Sequence, residues 1–359
     1  MRAPALRSNV GNTVSFQTLR PAFYAYYTSG GTLGSGSHAL PLSTEFIDSW
    51  NGHSTTTNPS QYFCQLPGWY LCKMAIGLDY VSSTQEQFGA ALQGVSLGSA
   101  FGPNYGPMLL NGSTLALAPY VADLIPMSVT GAIGGSGDYI EAIGVNNSGG
   151  SVTIVQNFGT GYYPFVTMRW VADYVTEYPS PLPAAPPLGT WPVPPSYVTA
   201  TFLNENIRDT VRYLLSPPVA RMYVTGTHAL PSQTWPAATI VPLNTSSVDN
   251  YGGFSSSSNN YTAPYAGNYF VYGQINLVAA ASGTAYGMGF SVNGGTVQYA
   301  GVVSKLSDST GGGVGGQTRL RLNQGDTVAM YATQASGSSI NYATAAGVNT
   351  LMLVVWEGL

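Results

Sequence analysis

The chain has 359 residues, enough for two or three domains of ordinary size, and 44% of its residues are hydrophobic while only 7% are charged. Disordered chains combine low hydrophobicity with high charge, and nucleic-acid-binding proteins present clusters of Lys and Arg. A net charge of −4 without such clusters therefore disfavours both classes. So few charges also protect a surface poorly against self-association, and we expect much of the surface to be covered in an assembly.

The first 19 residues are predicted to form an N-terminal arm. They lack the apolar core of a secretory signal peptide, and the chain nowhere has the 18 or more consecutive apolar residues of a membrane-spanning helix. We therefore expect neither secretory export nor membrane insertion.

Short apolar runs separated by clusters of Gly, Ser and Asn make up most of the chain. Runs such as "YFVYGQINLVAA" and "TLMLVVW" recur at intervals of about 8 to 12 residues, which is the spacing of a β-sandwich. The predicted fold class is all-β, with two tandem sandwiches at 20–177 and 217–359. Four large aromatic residues are predicted to fill their cores: Tyr70, Trp170, Tyr269 and Trp356.

A linker and one helix are predicted between the two sandwiches. Eight prolines fall within "PSPLPAAPPLGTWPVPP", which favours an extended connector over residues 178–197. The segment 198–216 then has the apolar spacing of a helix, which Thr199 or Thr201 can cap and which Pro217 and Pro218 end. The stripe predicted to pack this helix is Leu203, Ile207, Val211 and Leu214.

The tetrapeptide "HALP" occurs twice, with His38 and with His228. It could arise by chance in a biased composition, mark a histidine used twice in catalysis or metal binding, or be the remnant of a duplicated domain. Other paired landmarks occur in the same order and favour duplication, with a six-residue insertion before His38. These pairs are Pro21 with Pro217, Tyr27 with Tyr223, Gly68 with Gly267, Tyr70 with Tyr269, Gly137 with Gly325, Asp138 with Asp326, and Trp170 with Trp356.

Few residues have the neighbours that catalysis or metal binding needs. His38 and His228 have no Cys, Asp or Glu at metal-ligand spacing, so we expect structural roles for them and no bound metal or cofactor. "GVSLG", residues 94–98, fits a nucleophile elbow, but no strand-to-helix turn is predicted there. A glycan hydrolase would need two facing carboxyls, for which the candidates are Glu45, Asp48, Asp138 and Glu141.

Two further groups of residues allow more than one interpretation. Cys64 and Cys72 flank "QLPGWYL", a turn that could bring them together, although two unpaired thiols on strands are favoured. The 25 tyrosines and six tryptophans could stack on sugars, but most are expected to fill sandwich faces or contacts between subunits.

The second half resembles the complement C1q and tumour-necrosis-factor (TNF) jelly-roll family. The resemblance rests on "YTAPYAGNYFVYGQI", "RLRLNQGDTVAMYA" and the closing "TLMLVVWEGL", in that order. The first half resembles the family more loosely and continues past its tryptophan as "RWVADYV". The family resemblance implies non-enzymatic jelly rolls that associate as homotrimers.

A separate segment resembles minor tail proteins of tailed bacteriophages, notably those of actinobacteria. Its pattern is T-A-x-x-L-N-x-x-I-R-D-x-x-x-x-L, matched here by Thr199, Ala200, Leu203, Asn204, Ile207, Arg208, Asp209 and Leu214. This resemblance implies a virion protein of the phage tail, assembled in the host cytoplasm. Its expected partners are other virion proteins and a host cell-wall glycan or surface protein.

Three alternatives remain open on the sequence. A capsid decoration protein or head fibre would use the same trimeric fold. A cell-wall glycan hydrolase would use a pair of the carboxylates. A secreted C1q-like recognition protein would need an export route, which the amino terminus does not supply.

Overall fold

The computed structural model describes residues 20–27, 31–77, 87–96, 99–105, 109–110, 120–128, 130–133, 135–146, 150–154, 165–172, 216–233, 237–278, 280–308, 312–343 and 350–358. The chain divides into two compact units, Met1–Trp170 and Val171–Leu359. The predicted arm (1–19), linker (178–197) and, apart from Ser216, the helix (198–216) with its stripe lie outside the described residues, so these boundaries stay predictions. No helix long and apolar enough to cross a membrane occurs in the described part of the chain.

Unit 1 is built from strands alone in its described residues. They are β1 (Ala22–Tyr26), β2 (Thr32–Leu33), β3 (Gly36–Ala39), β4 (Thr44–Asp48), β5 (Gln61–Phe63), β6 (Gly68–Ala75), β7 (Gln87–Ser96), β8 (Ser99–Tyr105), β9 (Leu109–Leu110), β10 (Tyr120–Met127), β11 (Tyr139–Asn146), β12 (Val152–Thr153) and β13 (Phe165–Ala172).

These strands form two antiparallel sheets. One has the order β10-β6-β13-β1-β4, and the other has the order β3-β11-β7-β8, with β5 also paired to β11 and β9 to β7. A short pair, β12-β2, lies apart. The first strand lies beside the last, with Ala22 opposite Arg169 and Tyr26 opposite Phe165. Two antiparallel sheets whose sequence neighbours are split between them in this way form a jelly roll.

Unit 2 has the same kinds of element. They are β14 (Val219–Tyr223), β15 (Ala229–Leu230), β16 (Thr239–Ile240), β17 (Thr245–Asp249), β18 (Phe254–Ser255), β19 (Asn260–Thr262), β20 (Gly267–Leu277), β21 (Ala280–Val292), β22 (Gln298–Asp308), β23 (Gly312–Leu322), β24 (Thr327–Gln334), β25 (Ile340–Asn341) and β26 (Leu351–Gly358).

The strand order of unit 2 repeats that of unit 1. Its first sheet runs β23-β20-β26-β14-β17, which matches β10-β6-β13-β1-β4 strand for strand. Its second sheet runs β18-β19-β24-β21-β22, with β16 also paired to β24, so that β16, β24, β21 and β22 match β3, β11, β7 and β8. The separate short pair is β15-β25. The first and last strands again lie together, with Val219 opposite Val355. The duplication predicted from the sequence is therefore present as a duplicated topology.

Alternation along the strands explains where the core of unit 1 lies. In β1, Phe23 and Ala25 point into the sandwich and are buried, whereas Tyr24 and Tyr26 point outward and are only partly buried. The core cluster that they join includes Tyr62, Tyr70 and Trp170.

Equivalent side-chain hydrogen bonds align the two units residue by residue. The hydroxyl of Tyr70 donates to the carbonyl oxygen of Leu66 at 2.7 Å, and the hydroxyl of Tyr269 donates to that of Tyr265 at 2.7 Å. The indole N–H groups behave alike, since Trp170 donates to Pro67 at 3.0 Å and Trp356 to Ala266 at 3.3 Å. The predicted pairings of Tyr70 with Tyr269 and of Trp170 with Trp356 thus have the same bonding in both units.

A buried amide fixes the register of the short strand pair in each unit. Asn146 Nδ2 donates to the carbonyl oxygens of Leu33 (2.8 Å) and Gly150 (2.9 Å). Gln334 Nε2 donates in the same way to Leu230 (3.1 Å) and to a residue four positions downstream. Leu33 is therefore equivalent to Leu230.

This register shows that His38 and His228 are not equivalent, contrary to the prediction. The carbonyl oxygen of His228 accepts from Tyr342 N–H at 2.9 Å, as that of Gly31 accepts from Ile154 N–H at 2.8 Å, so His228 corresponds to Gly31. Each of these residues follows its aligned tyrosine, Tyr26 or Tyr223, by five positions, so the predicted insertion before His38 is absent.

His38 corresponds instead to Thr239. Leu40 N–H donates to Ala142 at 2.9 Å, as Val241 N–H donates to Met330 at 2.9 Å, which aligns "LPLST" with "VPLNT". The shared "HALP" therefore falls in two different places of the same fold, because cross-strand hydrogen bonds and not a four-residue identity set strand register.

The predicted pairing at the start of each unit is displaced by one residue. The backbone N–H of Trp170 donates to the carbonyl oxygen of Pro21, and the backbone N–H of Trp356 donates to that of Pro218, both at 2.9 Å. Pro21 is therefore equivalent to Pro218 and not to Pro217, and Tyr223 is equivalent to Tyr26 and not to Tyr27.

Candidate interaction surface on the first unit

The outward side of β1 carries a group of aromatic rings. Tyr24 lies at its centre, with ring centres 6.1 Å from Tyr26, 5.6 Å from Phe46 and 6.3 Å from Phe165. Phe46 and Phe165 both meet Tyr24 edge-on, a favourable geometry for aromatic pairs. We call these four residues together with Ile47 the aromatic row.

A β-bulge exposes the end of the aromatic row. Tyr24 lies opposite Ile47 but Ala25 lies opposite Glu45, so Phe46 is an extra residue in β4. Phe46 is 71% exposed and Ile47 44% exposed. Val278, in unit 2, is the one other large hydrophobic residue that is exposed among the described side chains. The row is therefore an unusual concentration of accessible apolar surface.

The equivalent surface of unit 2 is polar at two of the five positions of the row. The same bulge occurs between Arg221 and Met222, which places Arg221 at the position of Tyr24 and Ser247 at that of Phe46. Arg221 Nη1 donates to Ser247 Oγ at 3.4 Å, and Arg221 Cζ lies 5.6 Å from the ring centre of Tyr223. The aromatic row is thus a property of unit 1 and not of the fold.

Each candidate catalytic carboxylate has a structural partner. Glu45 Oε1 lies 2.6 Å from His53 Nδ1, and Asp48 accepts the N–H groups of Gly52 and His53. Glu141 Oε1 accepts from Ser60 Oγ at 2.9 Å and from the side-chain amide of Gln61. These contacts cap loops and join strands, which are structural tasks.

The two aspartates of the repeated "GD" are also structural. Asp138 is fully buried and accepts from the N–H of Ser128 at 2.6 Å and from its hydroxyl at 3.1 Å. Asp326 is partly buried, and hydrogen bonds from the side chain of Asn293 and the backbone of Asn323 lower its pKa. Asp138 and Asp326 also accept, through their carbonyl oxygens, from Cys64 and Ala263 at 2.8 Å.

The remaining candidates for chemistry lie apart from one another. His38 Nε2 lies 3.0 Å from the carbonyl oxygen of Ser35, and His228 Nε2 lies 3.4 Å from Asn244 Nδ2. Ser96 ends β7 opposite Ser99 of β8, so it stands in a strand pair where a nucleophile elbow needs a strand-to-helix turn. No group of three His, Cys, Asp or Glu side chains in the described residues could hold a metal ion.

Cys64 and Cys72 are free thiols, both buried. Burial, followed by the nearby Asp138, raises the pKa of the Cys64 thiol to about 12. Burial also raises the pKa of Cys72 well above its ordinary value. Thiols held protonated in this way are inert, so they act here as small core residues.

Three of the four predicted core residues are buried. Tyr70 and Tyr269 are 0% exposed and Trp170 is 2% exposed. Trp356 is only partly buried, so the core position predicted for it is wrong. The surroundings of the two rings differ at one position. The guanidinium of Arg20 lies 4.9 Å from the ring centre of Trp170, whereas the equivalent residue near Trp356 is Pro217, which has no long side chain.

Comparison with known proteins gives structural matches alone. No family model matches the chain, and no curated protein matches it. The globular domain of zebrafish complement 1qA is similar at 11% identity over 42% of this chain and 94% of that chain, with a TM-score of 0.28. Eiger TNF from S. frugiperda matches at 12% identity over 40% and 95%, with a TM-score of 0.31. Murine APRIL matches at 14% identity over 38% and 98%, with a TM-score of 0.29.

The strand order within each unit decides the fold. Each unit is a jelly roll of the C1q/TNF type. The predicted all-β class with two tandem jelly rolls is therefore confirmed. Sequence reasoning did not single out the aromatic row of the first jelly roll, although "AFYAYY" places aromatic residues at alternate positions of β1 and "TEFID" places Phe46 on the neighbouring strand.

Proposed function

We propose that the protein is a non-enzymatic structural component of a virion, a minor tail protein of a bacteriophage. In this proposal three copies associate, and the assembly contributes to attachment to a host-surface glycan or protein. The observation that carries the assembly is the aromatic row, an exposed apolar surface on a chain that has few charges to oppose association. The resemblance of residues 199–214 to tail proteins supports the location.

Threefold association would suit an attachment role on physical grounds. A trimer with two jelly rolls per chain presents each binding face three times, and weak contacts to a repetitive cell wall then add through effective concentration.

A capsid decoration protein or head fibre is the second candidate, because it would use the same fold and the same association. Immunogold labelling of purified virions separates the two. We expect gold particles at the tail, and gold confined to the head would overturn the tail assignment.

A glycan hydrolase is a third and weaker candidate. The structural partners of Glu45, Asp48, Asp138 and Glu141 speak against it. Incubation with host envelopes should release no reducing sugar or peptide above a buffer control. Release by the wild-type protein that Glu141→Gln abolished would favour the hydrolase.

A further inference from the structure

A buried histidine connects the edge strand of unit 1 to the loop that follows it. The side chain of His53 is 0% exposed. Its Nδ1 lies 2.6 Å from Glu45 Oε1 on β4, and its Nε2 lies 2.9 Å from the carbonyl oxygen of Pro59. Phe23 packs against the imidazole with ring centres 4.8 Å apart. Both ring nitrogens of His53 therefore face oxygen atoms.

These two contacts together require a proton between His53 and Glu45. A carbonyl oxygen only accepts, so Nε2 must donate to Pro59, and a neutral imidazole then presents a lone pair at Nδ1. An ionised carboxylate also only accepts, so the contact with Glu45 needs a proton on one of the two side chains. Without that proton, a neutral imidazole has a single N–H and can satisfy only one of the two oxygen atoms, so a lone pair faces the other oxygen beside a side chain that has no access to solvent.

The other ionisable groups around His53 do not supply this proton. Asp48 Oδ2 accepts the backbone N–H of His53 at 2.9 Å, and Asp48 Oδ1 accepts that of Gly52 at 3.1 Å. Tyr62 forms a β-bridge with His53, and burial, with a smaller contribution from Asp48, raises the pKa of Tyr62 well above its ordinary value.

Unit 2 builds the same corner without a titratable pair. Asp249 caps the equivalent loop by accepting from Gly253 N–H at 3.0 Å and from Phe254 N–H at 2.8 Å. Phe254 stands at the position of His53, and Ser246 stands at that of Glu45. The aspartate cap is therefore sufficient to fold the corner, and the His53–Glu45 contact is an addition specific to unit 1.

We propose that His53 and Glu45 form a proton-dependent latch, which holds β4 against the loop 51–60 and is released as the pH rises. Because β4 carries Phe46 and Ile47, release loosens the strand that presents the exposed end of the aromatic row. The corresponding strand of unit 2, β17, is not affected, because Phe254 and Ser246 do not titrate. The latch is a property of unit 1 and does not depend on the proposed virion role.

Hydrogen–deuterium exchange of the full chain tests the latch. Exchange is measured from about pH 5 to about pH 9, a range that brackets histidine titration, and is corrected for the intrinsic pH dependence of amide exchange. The segment 245–255 of unit 2 is the internal reference for the segment 44–54. We expect protection of 44–54 relative to 245–255 to fall by roughly tenfold as the pH rises, the scale of one charge-assisted hydrogen bond.

Two variants make the test specific. In Glu45→Gln, the amide N–H can donate to Nδ1 of a neutral imidazole, so the contact needs no proton and protection should persist at high pH. The double variant Glu45→Ser with His53→Phe carries the residues of unit 2 and should respond to pH as unit 2 does. If the protection of 44–54 relative to 245–255 stayed constant across the pH range in the wild type, the proposal would be overturned. A pH response in Glu45→Gln equal to that of the wild type would also overturn it.

A spectroscopic measurement covers the case in which either variant fails to fold. The chain has three histidines, so ¹⁵N-histidine NMR spectra of the wild type can be assigned with His38→Gln and His228→Gln. At low pH we expect both His53 ring nitrogens to be protonated, or Nε2 protonated with Nδ1 accepting a hydrogen bond. An Nε2 without a proton would contradict the latch.

Discussion

At the scale of single residues, two tryptophans show that aligned positions can differ in burial. Trp170 and Trp356 are equivalent, and both donate an indole hydrogen bond to the same carbonyl position. Their burial nevertheless differs, because it depends on neighbours that a sequence match does not include, such as Arg20 above Trp170. Sequence patterns could predict the aligned position, but not the burial of the ring.

Replacing these tryptophans with alanine should therefore have unequal effects. Trp170→Ala removes a buried side chain and should cost about 3 to 5 kcal/mol in the free energy of unfolding. Trp356→Ala should cost clearly less because its ring is partly exposed. Urea unfolding followed by circular dichroism measures both, and equal costs would contradict the difference in burial.

The paired tyrosines should behave alike. Tyr70→Phe and Tyr269→Phe each remove one buried hydroxyl-to-carbonyl bond of 2.7 Å. Each change should destabilise its unit by about 1 to 3 kcal/mol, as measured by the shift of the urea transition. A neutral result in either unit would show that the bond is not structural there.

At the scale of elements, the sequence indicated the duplication correctly and the histidine alignment wrongly. Landmarks such as Gly68–Tyr70 and Gly137–Asp138 mark turns and core contacts that each copy needs, so their order survives in both halves. "HALP" has no shared contact of this kind. Strand register is set by cross-strand hydrogen bonds between residues far apart in sequence, among them the side-chain amide bonds of Asn146 to Leu33 and of Gln334 to Leu230, which we call the amide clamps.

A substitution at Gly267 can test the close contact between β20 and the closing strand β26. Gly267 has a φ of 151°, and a Cβ atom there would lie 2.3 Å from Trp356 Nε1 and 2.6 Å from the carbonyl oxygen of Gly358. Gly267→Ala should cost roughly 2 to 4 kcal/mol through the clash and the backbone strain.

A second glycine provides the control for that change. Gly294 has a φ of 67°, and a Cβ atom there would meet no atom within 4 Å. Gly294→Ala should therefore cost only about 1 kcal/mol, the strain of the left-handed backbone. Equal shifts of the urea midpoint for the two variants would mean that Trp356 yields to the added methyl group.

At the scale of the whole molecule, the two jelly rolls have similar interiors and different exteriors. The sequence could predict the interior because alternation and paired landmarks record it. It could not predict the aromatic row, because the row brings together residues of β1, β4 and β13 and includes Phe46, an extra residue at a bulge that alternation does not reveal. Where the first unit presents aromatic rings, the second presents Arg221 and Ser247.

Self-association should therefore depend on the first unit. Native mass spectrometry of the full chain at micromolar concentration is expected to show a trimer. Phe46→Ser, which introduces the residue found at the equivalent position of unit 2, should shift the population toward monomer. Val278→Ser, a change at an exposed apolar residue outside the row, should leave the trimer unchanged. A wild-type monomer, or equal effects of the two variants, would contradict assembly through the row.

The amide clamps have a consequence for engineering. Asn146 and Gln334 differ in length by one methylene group, yet each reaches a leucine carbonyl and a second carbonyl four residues downstream. The scaffold thus tolerates a change of side-chain reach as long as an amide donor is present. A designer grafting new loops onto either half could keep that donor, the tyrosine bond and the tryptophan bond as the contacts that both units share.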